Sequence, residues 1–196
     1  MKGALDGVRV IDFGQYLAAP EAAMILADHG AEVIRVDPPE GPRWRHHANA
    51  ILQRGKRSIM LDLKDEADLA TARALIESAD VVLESFRPGT MDRLGLGYAA
   101  IGPENPALIY CSVPGFGRDD PRSQVPGWEG VIAAAAALYA KGGNKLHKAA
   151  GQDSPDPIFN PLPLASYYAA LVAVNSNVAP LIARERTGLG RSVGGP

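Results

Sequence analysis

The apolar positions of this chain alternate between two rhythms. Residues 8–13 (VRVIDF) form a short β-branched run closed by Gly14, which predicts a strand. From about Ala19 to His29 the residues Ala22, Ala23, Ile25, Leu26 and Ala27 recur at helical spacing, and Gly30 stands where a helix C-cap belongs. Residues 31–36 (AEVIRV) read as the next strand. Strand, turn, helix, glycine and strand make a βαβ unit, which predicts a parallel pair with a right-handed crossover. The rhythm then repeats. Residues 58–63 (SIMLDL) predict a strand, a helix opening at Lys64 and Asp65 runs to about Ser78, and Val81, Val82 and Leu83 predict a strand covered on both faces. A short helix capped by Thr90, another at residues 98–101, and a strand at 106–113 complete a further period. Beyond a proline-rich loop at 114–128, an alanine-dominated helix is expected at 129–139, an irregular loop at 141–157, and a long helix at 161–186. Pro163 should cap that helix and Pro180 should kink it.

Composition narrows the function classes. With 46% hydrophobic residues the chain is globular. A net charge of -2 with no concentrated basic stripe argues against nucleic acid as a partner. The longest apolar run, residues 131–140, is too short to cross a bilayer, so no membrane role is expected, and MKGALDGVRV lacks the hydrophobic segment of an export signal. Cys111 stands alone inside an apolar run, which fits a reducing cytoplasm and a core position. The first turn, residues 14–20, holds one glycine. That excludes a dinucleotide fingerprint, and there is no GxxxxGK[ST] phosphate loop. Arg43, Trp44, Arg45, His46 and His47 form a cationic patch, phosphate-facing or solvated. Adjacent histidines on a strand point to opposite faces and have no suitably spaced partner, so no metal site is expected.

The candidate site lies at residues 79–97 (ADVVLESFRPGTMDRLGLG). Ser85, Phe86 and Arg87 arrive together at the carboxyl end of a buried strand, where ligands bind in open α/β sheets. An aromatic face beside Arg87 and Arg93 suits a nucleotide, with the base on Phe86 and phosphates on a guanidinium. The alternative is a core phenylalanine with two solvated arginines.

Six blocks of the sequence, LDGVRVIDFGQYLAAP, ILADHGAEVIRVDPP, GKRSIMLDLK, ADVVLESFRPGTMDRLGLG, NPALIYCSVPGFG and RERTGLGR, each resemble a block of the family III CoA-transferases, in family order. That group includes formyl-CoA transferase, carnitine CoA-transferase and α-methylacyl-CoA racemase. The resemblance implies an α/β fold, a Rossmann-like mostly parallel sheet with flanking helices. Residues 1–196 would form one domain, the N-terminal part of the family's large domain, without the small domain and the C-terminal return. It also implies coenzyme A or acyl-CoA as substrate, a small carboxylic acid as acceptor, no tightly bound cofactor, and a homodimer or a second transferase-like half as partner.

Residue by residue, the family's adenine-contacting pair falls on Ser85 and Phe86, with a hydroxyl in place of an amide, and its phosphate contacts fall on Lys64 and Arg93. A basic residue common after the second strand is replaced by Pro38, and a first-turn glutamine by Leu17. The family's acid before the alanine-rich helix is matched by Glu129. Family transferases use an aspartate near the start of the last helix to attack the acyl-CoA thioester, giving a mixed anhydride that CoA thiolate reopens. Here that position is Ser166. Asp153 and Asp156 lie upstream in a loop and do not replace it. A hydrolase built on Ser166 would need a histidine and an acid, and only His147 lies in the C-terminal half. The resemblance implies a transferase-like half that binds CoA, the first repeat of a tandem protein. The alternatives are a non-catalytic CoA-binding or oligomerisation module, and a racemase-like fragment.

Overall fold

A computed structural model describes residues 3–139 and 159–194. The strands are β1 (Arg9–Asp12), β2 (Glu32–Asp37), β3 (Lys56–Met60), β4 (Val81–Glu84), β5 (Ile109–Ser112) and β6 (Arg191–Gly194). The helices described are α1 (Ala18–Asp28), α2 (Ala48–Leu52), α3 (Glu66–Glu77), α4 (Thr90–Arg93), α5 (Tyr98–Ile101), α6 (Glu129–Ala135) and α7 (Leu164–Thr187). All strand pairs are parallel, and the six lie in the order β3-β2-β1-β4-β5-β6. The Rossmann-like mostly parallel sheet expected from the sequence is the fold observed.

Each central strand sends alternate side chains to opposite faces. Val10, Val33, Val81, Leu83 and Ile109 pack with Ala22, Ala23 and Leu26 of α1 and Ala170, Ala173 and Leu181 of α7. Ile11, Val82 and Tyr110 pack on the other side with Ala72 and Ile76 of α3, Met91 of α4 and Ile101 of α5. Burial on both faces explains why these strands read as continuous apolar runs. The alanines on α1 and α7 keep both helix axes close to the sheet and to each other.

Local chemistry fixes the element ends. Gly30, at φ 103°, receives the chain as α1 stops, with Gly30 N–H on Ala27 O and Ala31 N–H on Leu26 O, a Schellman closure at the position expected. Asp65 caps α3 by accepting Ala67 N–H and Asp68 N–H. The cap of α4 is Gly89, at φ 82°, and not Thr90, which is the first helical residue; a turn this tight needs a left-handed residue. The alanine-rich helix is shorter than its periodicity: α6 ends at Ala135. Ala137 adopts φ 57° while Leu138 N–H reaches Ala133 O and Ala137 N–H reaches Ala134 O. This is another Schellman closure, but without the glycine that would mark it in the sequence.

Strand β3 begins two residues before its expected start, with the Lys56 side chain buried at its first position. That side chain is 1% exposed, and Nζ donates to Asp12 Oδ2 at 2.8 Å and to Pro20 O at 2.7 Å. Beside it Arg35 Nε donates to Asp37 Oδ1 at 2.8 Å, also within the core. Neither α2 nor β6 is visible in the hydrophobic pattern. β6 is held to β5 by backbone pairing, from Ile109 against Arg191 to Ser112 against Gly194. Helix α7 continues through Pro180 to Thr187, and Arg184 anchors its end to Asp80 at 2.9 Å. The expected loop at 141–157, with His147, Asp153 and Asp156, lies outside the described residues.

Candidate functional site

The strand order reverses between β1 and β4. The chains leaving their carboxyl ends diverge there, which is where this architecture opens a crevice. A cavity of about 870 Å³ occupies that place, within the range of small-molecule sites. Its walls include residues 15–18 after β1, 85–88 after β4 and 111–115 at the end of β5. Trp128, Glu129 and Ile132 at the start of α6 and residues 165–169 of α7 close it. Arg43, Trp44 and His46 contribute from the connection after β2.

Five of the seven candidate residues meet in this cavity: Ser85, Phe86, Arg87, Glu129 and Ser166. Lys64 and Arg93 do not line it. Both are exposed, Lys64 just past β3 and Arg93 on α4, where Nη2 donates to Thr90 Oγ1 at 3.2 Å. The Ser85 hydroxyl accepts Gln15 N–H at 2.9 Å, which ties the turn after β1 to the turn after β4 across the crevice. Phe86 is half-buried against the α3 side of the core, so it is part core residue and part cavity wall. Arg87 is exposed and makes no ion pair among the described residues.

Ser166 and Glu129 form one unit. The Glu129 carboxylate accepts Ala165 N–H and Ser166 N–H, each at 2.9 Å, and the Ser166 hydroxyl at 2.7 Å. Pro163, the residue at the N-cap of α7, gives no side-chain cap, so a carboxylate from α6 satisfies the orphan amides of the first turn. A hydroxyl held this way points its proton at an acceptor already engaged twice. Among the described residues its one side-chain hydrogen-bond partner is that carboxylate, and no histidine is hydrogen-bonded to it to take the proton in a nucleophilic step.

Sequence reasoning missed several wall residues. Tyr16 has φ 65°, a left-handed conformation that is strained for a side chain of this size, and its ring meets Trp128 edge-on with centroids 4.9 Å apart. The signal was weak: a tyrosine in a turn and a tryptophan one residue before Glu129. Gly115 and Gly127, also in the wall, meet backbone to backbone so closely that a Cβ on either would overlap the other's Cα, which folds the proline-rich loop back over the site. Cys111 reaches the wall, but burial pushes its thiol up to about 11, which leaves it protonated and inert near neutrality. No cluster of three or more histidine, cysteine, aspartate or glutamate side chains suited to a metal occurs among the described residues, and none of their helices is long and apolar enough to span a membrane.

The family model for CoA-transferase family III matches residues 5–195. The chain belongs to this family. It is 45% identical to the CoA-transferase/lyase DddD of Marinomonas sp. (strain MWYL1) over 96% of its own length and 22% of that protein. It is 34% identical to the acetyl-CoA:oxalate CoA-transferase of Acetobacter aceti, over 98% of its length and 50% of the other. Among solved structures, Rv3272 from Mycobacterium tuberculosis superposes with a TM-score of 0.87 at 36% identity, over 98% of this chain and 53% of that one. A CAIB/BAIF family protein from Brucella suis gives the same TM-score at 31% identity. The chain therefore spans about half the length of most of these relatives, and about a fifth of DddD.

Proposed function

We propose that this chain is the CoA-binding part of an acyl-CoA:carboxylate CoA-transferase assembly, with coenzyme A or its thioester in the crevice between β1 and β4. The observation that carries the reading is one cavity lined by Ser85, Phe86 and Arg87 and closed by Glu129 and Ser166. In this reading the base stacks on Phe86 and Arg87 pairs with phosphate. Lys64 and Arg93, which follow the carboxyl ends of β3 and β4, meet the phosphates where the ligand leaves the cavity. The relatives named for acetyl-CoA:oxalate and succinyl-CoA:mesaconate transfer support a CoA thioester and a small carboxylic acid as the substrate pair. No tightly bound cofactor is required for that chemistry.

Ser166 acts in this proposal as a donor to the Glu129 carboxylate that caps α7 and not as the nucleophile, since its hydroxyl is bound to Glu129. The carboxylate that attacks the thioester comes from a second transferase-like half or a second subunit. The same contact favours the other reading, a binding or oligomerisation module without chemistry of its own. Calorimetric titration of CoA into the chain tests the site. Micromolar binding, on the order of 8 kcal/mol, weakened by Phe86→Ala and by Arg87→Ala, is expected. Binding that neither substitution changes would remove the nucleotide from this cavity.

A further inference from the structure

We propose that Glu84 is the positioning residue of the nucleotide wall: its buried carboxyl holds the Phe86 amide on one oxygen and the Ser112 hydroxyl on the other, and so fixes where the Phe86 ring stands. The β4–β5 ladder ends at the pair Glu84 and Ser112, so Phe86, two residues further on, has left the sheet and has no ladder partner. Glu84 is 6% exposed and turns back to accept Phe86 N–H with Oε2 at 2.7 Å, while Oε1 meets Ser112 Oγ in a short contact. One side chain thus joins the ends of two strands to the residue that presents its ring to the cavity. From the opposite side Ser85 Oγ takes Gln15 N–H, and the turn is held at both flanks.

A carboxyl is an expensive group to bury, and nothing in the packing of β4 requires one. Burial raises its pKa, opposed by its two hydrogen bonds and by Arg118; Asp92 adds to the rise, and the neighbouring β5 groups Tyr110 and Cys111 are themselves raised and neutral. The geometry serves either protonation state. As a carboxylate Glu84 accepts both bonds; protonated, it donates to Ser112 Oγ and still accepts Phe86 N–H. Glutamine can do the same, and alanine cannot.

The ligand in this inference rests on the CoA reading above, and the experiment separates the two. Amide exchange and amide proton shifts of Phe86 are followed by NMR in the wild type, Glu84→Gln and Glu84→Ala, and CoA is titrated into each. The Phe86 amide of the wild type is expected to shift as Glu84 titrates and to stay constant with pH in Glu84→Gln. Glu84→Ala should expose that amide to exchange, leave Val82 and Leu83 protected, and weaken CoA about tenfold or more, with Glu84→Gln close to wild type. A wild-type Phe86 amide indifferent to pH, or unchanged protection and affinity in a folded Glu84→Ala chain, overturns the proposal. If the wild type binds no CoA while the Phe86 amide still follows Glu84, the CoA reading falls and the positioning role stands.

Discussion

The Ser166 hydroxyl donates to the Glu129 carboxylate at 2.7 Å, and the backbone amide of Ser166 donates to the same oxygen at 2.9 Å. Residue 166, to which the family resemblance assigns the attacking aspartate, is therefore engaged in a helix cap that reaches from α6 to α7. Glu129→Ala removes the acceptor of three donors and should lower stability by about 1–2 kcal/mol, read by chemical denaturation. Incubation with acetyl-CoA should leave the wild-type mass unchanged. An acyl adduct on residue 166 in intact-mass spectra would refute the capping role.

Lys56 is a second buried pairing with a large expected effect. Its burial lowers its own pKa while the Asp12 carboxylate at 2.8 Å opposes that shift. Lys56→Met strands Asp12, 0% exposed, without its cation and should cost about 3–5 kcal/mol in urea unfolding. The double variant Asp12→Asn with Lys56→Met should recover part of that loss, since no uncompensated charge remains. An additive double variant would show that the pair is not coupled.

Glu84 makes stability depend on pH in a stated direction. Its pKa is raised above 4.5, chiefly by burial, so between about pH 4.5 and the raised value the folded chain binds more protons than the unfolded one. This group's contribution therefore falls as pH rises through that interval, by at most about 1.4 kcal/mol per pH unit. Glu84→Gln should flatten that slope. The check is the difference between wild-type and variant denaturation curves from pH 4 to pH 8, in which the other carboxylates cancel.

Helix α7 leaves Tyr168, Leu171, Val172 and Ile182 each more than half exposed, a face that starts at the cavity rim, where Tyr168 and Val172 also line the wall, and runs outward to Leu171 and Ile182. Burial of such a face drives association, so the chain should sediment above monomer mass at micromolar concentration. Leu171→Glu with Ile182→Glu should return it to monomer without loss of helicity. A wild type that is monomeric at those concentrations would leave this face without a partner.

Much of the fold was legible along the chain because parallel strands buried on both faces leave continuous β-branched runs, and because Gly30 and Asp65 mark element ends by chemistry that operates within a few residues. The turn of residues 85–87 could be placed at a strand's carboxyl end for the same reason. The features that escaped the sequence depend on partners far along the chain. Lys56 fell outside the expected strand because its partner Asp12 lies 44 residues away; β6 was not expected because strand β5 alone defines it; Ala137 ends α6 in a conformation usually marked by glycine. Glu129 and Ser166, 37 residues apart, were each marked in the sequence, but only the packing of α6 against α7 turned them into a cap. Local periodicity and turn chemistry were enough to order the elements other than α2 and β6 and to place the candidate turn of residues 85–87 at a strand's carboxyl end. The tertiary structure alone decided which charges are buried, which hydroxyl is engaged and which rings share a wall, because those are set by distances between segments that no local pattern encodes.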